Sequence, residues 1–213
     1  MNGDGAAKGV FAYWPNRITA LRFVGALVLF AVLARHGEAL DTLLDRGPAT
    51  RHFKLAFWLF LAVSLSDVLD GWLARRGNVV TAFGRIADPF VDKVLLLGTM
   101  VFLAVLPWSR QLFPAWVVVV ILAREFLVTG IRGYVESTGG SFPADNFGKA
   151  KMFLQCVAVG MALGLAAHEF DSGFERGAER VCRWFVWATL VTTVGSGLSY
   201  VFKARSSFVP GHP

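Results

Sequence analysis

The sequence predicts an all-α integral membrane protein with six transmembrane helices and a polar metal-binding cavity that opens to the cytoplasmic side. The chain is 55% hydrophobic and only 17% charged, and its mean hydropathy is +0.54, which is too apolar for an ordinary soluble domain. It divides into six apolar segments, each near the roughly 20 residues that cross a bilayer core. Four carboxylates at segment ends, Asp67, Asp70, Asp88 and Asp92, are costly at membrane depth, so their clustering indicates function.

In chain order the apolar segments cover residues 18–33, 53–76, 81–108, 113–134, 147–167 and 181–202. Residues 1–15 carry three glycines and predict a mobile or interfacial lead-in. The first segment could also lie partly in the membrane interface. Because neither a repeat nor a long linker divides the sequence, we expect residues 1–213 to form one membrane domain.

The first segment opens with WPNRITALR and contains an arginine well inside the apolar stretch. Trp14 suits the headgroup level. Arg22 has two open interpretations: its long side chain snorkels to the interface, or it points into a polar site.

The formal net charge of +6 comes without a basic run or aromatic-basic interleaving, so we expect contact with anionic membrane lipids and no nucleic acid. Most of the 21 lysines and arginines fall on the side of the two termini. The positive-inside rule therefore predicts cytoplasmic termini and a cytoplasmic acidic site. Cys156 and Cys182 do not indicate a disulfide framework.

The acidic residues fall on two helix faces. One face carries Asp67, Asp70, Gly71, Ala74 and Arg75 at helical offsets of 0, 3, 4, 7 and 8, and the next carries Gly84, Asp88 and Asp92 at four-residue intervals. Residues 76–83 can turn the chain so that the two faces meet. Two carboxylates from each helix would then share one site.

Four neighbouring carboxylates could not all stay ionised alone. Oxygen-rich sites of this kind suit Mg²⁺ or Mn²⁺, and two ions would balance the formal charge. Gly71 and Ala74 leave room against the helix, and Arg75 offers a fixed cation, so the face fits a diphosphate. Taken singly, such aspartates are usually helix caps and such small residues are usually packing devices; their joint spacing favours function.

The complete pattern resembles the signature of the CDP-alcohol phosphatidyltransferase family, and all its fixed positions are met. The resemblance implies a six-helix homodimer that transfers a phosphatidyl group from CDP-diacylglycerol to a small alcohol and releases CMP. It assigns Asp67, Asp70 and Asp88 as metal ligands and Asp92 as a metal ligand, general base or both. It also assigns the donor site to Gly71, Ala74, Arg75 and Gly84.

Three further stretches, WPNRITALR, AREFLVTGIRGYVES and FGKAKMFLQ, resemble the bacterial phosphatidylglycerophosphate synthase branch. That branch uses glycerol 3-phosphate and implies a bacterial inner-membrane location. The expected acceptor-phosphate residues are Arg124, Arg132, Lys149 and Lys151. Met152 departs from the threonine that the family often has.

The basic residues also have other interpretations. Arg124 could form an internal ion pair with Glu125, and Arg132, Lys149 and Lys151 could be topology or lipid contacts. At the level of function, an inositol phosphate acceptor is an alternative. A nonenzymatic carrier that uses the aspartates for cation coupling is a second one.

Overall fold

The computed structural model describes residues 13–36, 50–77, 82–138 and 146–204. Within these ranges, the side chains of residues 67–77, 82, 83, 85, 146, 147, 149 and 204 are outside the description. The described residues form six α-helices and no strand, as predicted. The helices are α1 (Trp14–His36), α2 (Thr50–Gly77), α3 (Ala82–Val105), α4 (Ala115–Ser137), α5 (Asn146–Ala167) and α6 (Ser172–Ala204).

Prolines set two of the helix boundaries. The third segment was predicted to reach residue 108, but α3 ends at Val105, two residues before Pro107, which lacks a helical N–H donor. The chain then turns, and the Ser109 hydroxyl donates to the carbonyl of Leu103 over 2.8 Å. Pro114 caps the start of α4 with a φ of −57° and a ψ of 132°. The fourth helix therefore begins two residues later than the hydropathy pattern suggests.

The last helix begins nine residues earlier than predicted, at Ser172 instead of residue 181. The side chain of Asp171 accepts a hydrogen bond of 3.0 Å from the N–H of Gly173, and Glu175 lies in the first turn. Both features stabilise a helix N-terminus. The hydropathy pattern did not predict these first turns of α6 because many of their residues are polar.

One large apolar core joins the six described helices, with α5 packed on α2 and α6, α1 on α2 and α3, and α4 on α6 and α3. Phe53, Phe60 and Phe113 are almost completely buried in it. Close approach of α1 and α3 needs a glycine, because a Cβ at Gly98 would overlap the ring of Phe30. Interdigitation of this kind fixes how each helix is rotated about its axis.

Within the part of the chain that the structure describes, three helical stretches are long and apolar enough to cross a membrane: Trp14–His36, Ala150–Ala167 and Ser172–Lys203. This is consistent with an integral membrane protein. In α3 and α4 the apolar sequence is interrupted by ionisable residues, among them Asp88, Asp92, Arg124 and Glu125. The prediction of six crossings stays a prediction.

Candidate active site

A cavity of about 560 Å³ lies between α3, α4, α5 and α6. It lies near one end of the bundle, where α3 and α5 begin and α4 and α6 end. Its polar lining comprises Asp88, Asp92, Lys93, Arg124, Glu125, Thr129, Arg132, Glu136, Lys151, Gln155 and Tyr200. Two of the four predicted metal ligands and three of the four predicted acceptor residues thus lie around one space.

Helix α1 supports both of the motif aspartates whose side chains are described. The Thr19 hydroxyl donates to Asp88 Oδ1, and Arg22 Nη2 forms an ion pair with Asp92 Oδ1. Asn16, Thr19 and Arg22 follow one another at three-residue intervals and are 1%, 3% and 3% exposed, so they form a buried polar face.

This polar face answers the question that the sequence left open for Arg22: the side chain points into the site. A charge at that depth needs a partner, and Asp92 provides it. Asn16 and Thr19 were not among the predicted site residues. The signal that could have found them is their three-residue spacing from Arg22 on an otherwise apolar helix.

Pro89 stands inside α3 between Asp88 and Asp92. Proline cannot donate the helical hydrogen bond, so it loosens the backbone locally. Gly84 is buried in the first turn of the same helix. The predicted four-residue spacing therefore places Gly84, Asp88 and Asp92 along successive turns of α3.

Glu125 joins two of the cations. Its Oε1 accepts from Arg124 Nη1 over 2.9 Å and also pairs with Lys151 Nζ. Arg124 Nη2 donates to the Ser196 hydroxyl of α6 over 2.8 Å. The internal ion pair considered for Arg124 is therefore present, while the same arginine also lines the cavity. Three buried charges of this kind are tolerated because they neutralise one another in part.

Tyr200 of α6 organises the two arginines of α4. Its hydroxyl accepts from Arg132 Nη2 over 2.9 Å, and the guanidinium carbons of Arg124 and Arg132 lie 5.7 and 5.8 Å from its ring centroid. Both distances are within the range of cation–π attraction. Sequence reasoning missed Tyr200, since a tyrosine near the end of an apolar helix looks like an interfacial anchor.

Lys93, which was not among the predicted site residues, also lines the cavity. Its Nζ donates to the Thr129 hydroxyl over 2.5 Å, and that hydroxyl donates to the carbonyl of Glu125 over 2.7 Å. Lys93 therefore adds a fourth cation next to Asp92. The position of Lys93 directly after Asp92 in the sequence was the signal that could have identified it as a site residue.

The remaining predicted residues lie at positions whose side chains are outside the description. These are Asp67, Asp70, Gly71, Ala74 and Arg75, in the last turns of α2, and Lys149, in the first turn of α5. The described side chains contain no group of three or more metal-binding residues. Asp88 and Asp92 offer hard carboxylate oxygens one turn apart, so their donor chemistry fits a divalent cation.

The chain is similar to known proteins over most of its length. The family model for CDP-alcohol phosphatidyltransferases matches residues 12–195. A Bacillus subtilis protein named CDP-diacylglycerol–glycerol-3-phosphate 3-phosphatidyltransferase is 34% identical over 89% of this chain and 93% of its own length. Proteins of the same name from Rickettsia felis and Mycoplasma pneumoniae are 35% and 29% identical, over 73% and 70% of this chain and 81% and 66% of their own lengths.

This family match, together with the apolar helices among the described residues, makes the protein a membrane-associated transferase. The chain belongs to the CDP-alcohol phosphatidyltransferase family, as its motif predicted. Members of this family depend on a divalent metal.

Proposed function

We propose that this protein transfers the phosphatidyl group of CDP-diacylglycerol to glycerol 3-phosphate, forming phosphatidylglycerol phosphate and CMP. The observation that carries the acceptor assignment is a pair of free guanidinium donors. The Nε atoms of Arg124 and Arg132 are buried and have no hydrogen-bond partner among the described residues, and both arginines line the cavity beside Asp88 and Asp92. A phosphate on the acceptor would supply the missing partner.

On the donor side, Asp67, Asp70, Asp88 and Asp92 would hold the divalent cations. Mg²⁺ or Mn²⁺, as two ions, would stabilise negative charge on the diphosphate and on the departing CMP. The face of Gly71, Ala74, Arg75 and Gly84 receives the cytidine diphosphate part of the lipid. Thr19 and Arg22 keep Asp88 and Asp92 in place.

On the acceptor side, Arg124, Arg132, Lys149 and Lys151 bind the phosphate, with Lys93 as an added cation. The acceptor hydroxyl oxygen attacks the phosphorus that carries diacylglycerol, and the bond from that phosphorus to the CMP oxygen breaks. The hydroxyl proton passes to the carboxylate of Asp92. Holding both substrates in one cavity supplies the proximity that the reaction needs.

The protein works in the bacterial inner membrane as a homodimer, with both termini and the cavity mouth on the cytoplasmic side. The distribution of lysine and arginine supports this orientation. The water-soluble substrate, glycerol 3-phosphate, and the water-soluble product, CMP, would then exchange directly with the cytoplasm.

The direct test is to incubate the purified protein with CDP-diacylglycerol, Mg²⁺ or Mn²⁺, and a panel of acceptors. We expect CMP release with glycerol 3-phosphate and formation of phosphatidylglycerol phosphate. Preferential use of inositol phosphate would favour the alternative acceptor. If the folded protein releases no CMP with any acceptor, transferase activity is refuted, and cation-coupled transport in vesicles becomes the experiment to run.

A further inference from the structure

Gln155 of α5 is a buried polar group of the cavity that the proposed mechanism does not use. It is 2% exposed and lines the cavity, yet its Nε2 has no hydrogen-bond partner among the described residues. A buried amide donor is normally satisfied, because leaving it without a partner is costly. The side chain is therefore placed to donate to something that enters the cavity.

The position of Gln155 relative to the cations suggests what that ligand group is. Gly148, Lys151, Met152 and Gln155 line the cavity from one face of α5, with Gln155 one turn beyond Lys151. Arg124, Arg132, Lys93 and Lys151 supply charged donors, which suit a phosphate. Gln155 is uncharged, so its amide suits an uncharged oxygen.

The proposed acceptor, glycerol 3-phosphate, has three polar groups that need partners in the cavity: the phosphate, the primary hydroxyl and the secondary hydroxyl. In the proposed reaction, the primary hydroxyl of glycerol 3-phosphate faces Asp92 of α3, and the phosphate faces the cations of α4 and α5. The secondary hydroxyl on the middle carbon then remains. Gln155 is a donor in the same cavity that neither of the other two groups requires.

We propose that Gln155 Nε2 donates a hydrogen bond to this secondary hydroxyl and thereby makes the enzyme selective for a phosphate that carries two neighbouring hydroxyl groups. The proposal rests on the proposed function. A site built to pair a hydroxyl rejects an analogue that lacks it, because the buried donor then stays unpaired. Gln155 thus determines acceptor specificity and takes no part in proton transfer.

The test compares two acceptors, glycerol 3-phosphate and 3-hydroxypropyl phosphate, which lacks only the secondary hydroxyl. For the wild-type protein we expect kcat/KM to be about 10- to 100-fold higher with glycerol 3-phosphate. In Gln155→Leu this preference should fall to nearly one, through a loss with glycerol 3-phosphate and little change with the analogue. The KM for CDP-diacylglycerol should not change.

Met152→Leu is the matched control, because Met152 lines the same cavity from the same helix face and the substitution preserves an apolar side chain. It should keep the wild-type preference. An equal loss with both acceptors in Gln155→Leu would overturn the proposal, since it would indicate a purely structural role. A wild-type preference for glycerol 3-phosphate in Gln155→Leu would also overturn the proposal.

The wild-type measurement keeps the proposal falsifiable even if Gln155→Leu fails to fold. Equal use of both acceptors by the wild-type protein would overturn the assignment of Gln155 and leave the proposed function intact. Absence of CMP release with glycerol 3-phosphate would instead overturn the proposed function and the assignment together.

Discussion

Paired charges govern the chemistry of this protein at the scale of single residues. Arg22 and Asp92 are 3% and 17% exposed, so each would be costly without the other. Glu125 holds Arg124 and Lys151 in the same way. The consequence is that side chains outside the family motif set the direction in which the motif carboxylates and the cations of the cavity point.

Replacing Arg22 by alanine should impair both folding and turnover. The substitution leaves Asp92 without its buried counter-charge, so we expect the free energy of unfolding to fall by about 3–5 kcal/mol. We also expect kcat to fall at least tenfold, because Asp92 loses its orientation. Thermal unfolding in detergent and CMP release are the two measurements.

Arg35→Ala is the control for Arg22→Ala, since Arg35 lies exposed in the last turn of the same helix. It should leave both quantities nearly unchanged. A fully active and stable Arg22→Ala variant would show that Asp92 needs no support from α1.

Arg132→Ala should weaken the use of the acceptor more than the use of the lipid donor. Removing a charged donor from the cavity should raise the KM for glycerol 3-phosphate by roughly 10- to 100-fold. Tyr200→Phe removes the hydroxyl that accepts a hydrogen bond from Arg132 Nη2. This substitution should raise the KM for glycerol 3-phosphate by roughly 3- to 10-fold. Steady-state kinetics with each substrate varied in turn would test this, and an equal rise in both KM values would count against the assignment.

At the scale of elements, the positions of the cavity side chains depend on how closely neighbouring helices approach each other. The Arg124 side chain crosses α6 at Gly197, where an added Cβ would lie 3.0 Å from Arg124 Cγ. Nothing lies within 4 Å of the corresponding point at Gly195, two residues earlier on the same helix. One glycine of α6 therefore makes room for a site residue, and the other does not.

This contrast gives a matched pair of variants. Gly197→Ala should displace Arg124 by a few tenths of an ångström and raise the KM for glycerol 3-phosphate by about 3- to 10-fold. Gly195→Ala should keep wild-type kinetics and gain up to about 1 kcal/mol in helix stability. Parallel kinetics and thermal unfolding would decide; identical behaviour of the two variants would mean that Arg124 does not need this space.

For the molecule as a whole, apolar and polar requirements are divided among the helices. Among the described residues, the apolar stretches that could span a membrane lie in α1, α5 and α6, whereas α3 and α4 carry most of the described charges of the cavity. Polar groups inside a membrane protein face the bundle interior or a water-filled cavity. Here they converge on the end of the bundle that holds Asp88 and Asp92 of the motif, one helical turn apart.

Removal of the metal tests the site as a unit. Exhaustive chelation should abolish CMP release, and added Mg²⁺ or Mn²⁺ should restore it, because the aspartates would otherwise repel the diphosphate. Asp88→Ala should abolish both turnover and metal dependence. Activity that survives chelation, or an active Asp88→Ala variant, would remove Asp88 from the set of metal ligands.

Much of this organisation follows from local sequence. The all-helical fold and the segment order follow from runs of apolar residues, since a run of about 20 such residues has few alternatives to a helix. The family follows from the motif spacing from Asp67 to Asp92. The early start of α6 did not follow, because its first turns are held by the cap at Asp171 and not by hydropathy.

The partners of the side chains were set by packing between distant parts of the chain. Arg22 meets Asp92 and Arg132 meets Tyr200 across 70 and 68 residues of sequence, and Gln155 comes to face the same cavity as both aspartates. A helix pattern states which residues share a face, but the rotation of that face toward a neighbour depends on contacts such as Gly98 with Phe30. The motif thus identifies the chemistry, while the helix packing selects the residues that orient it.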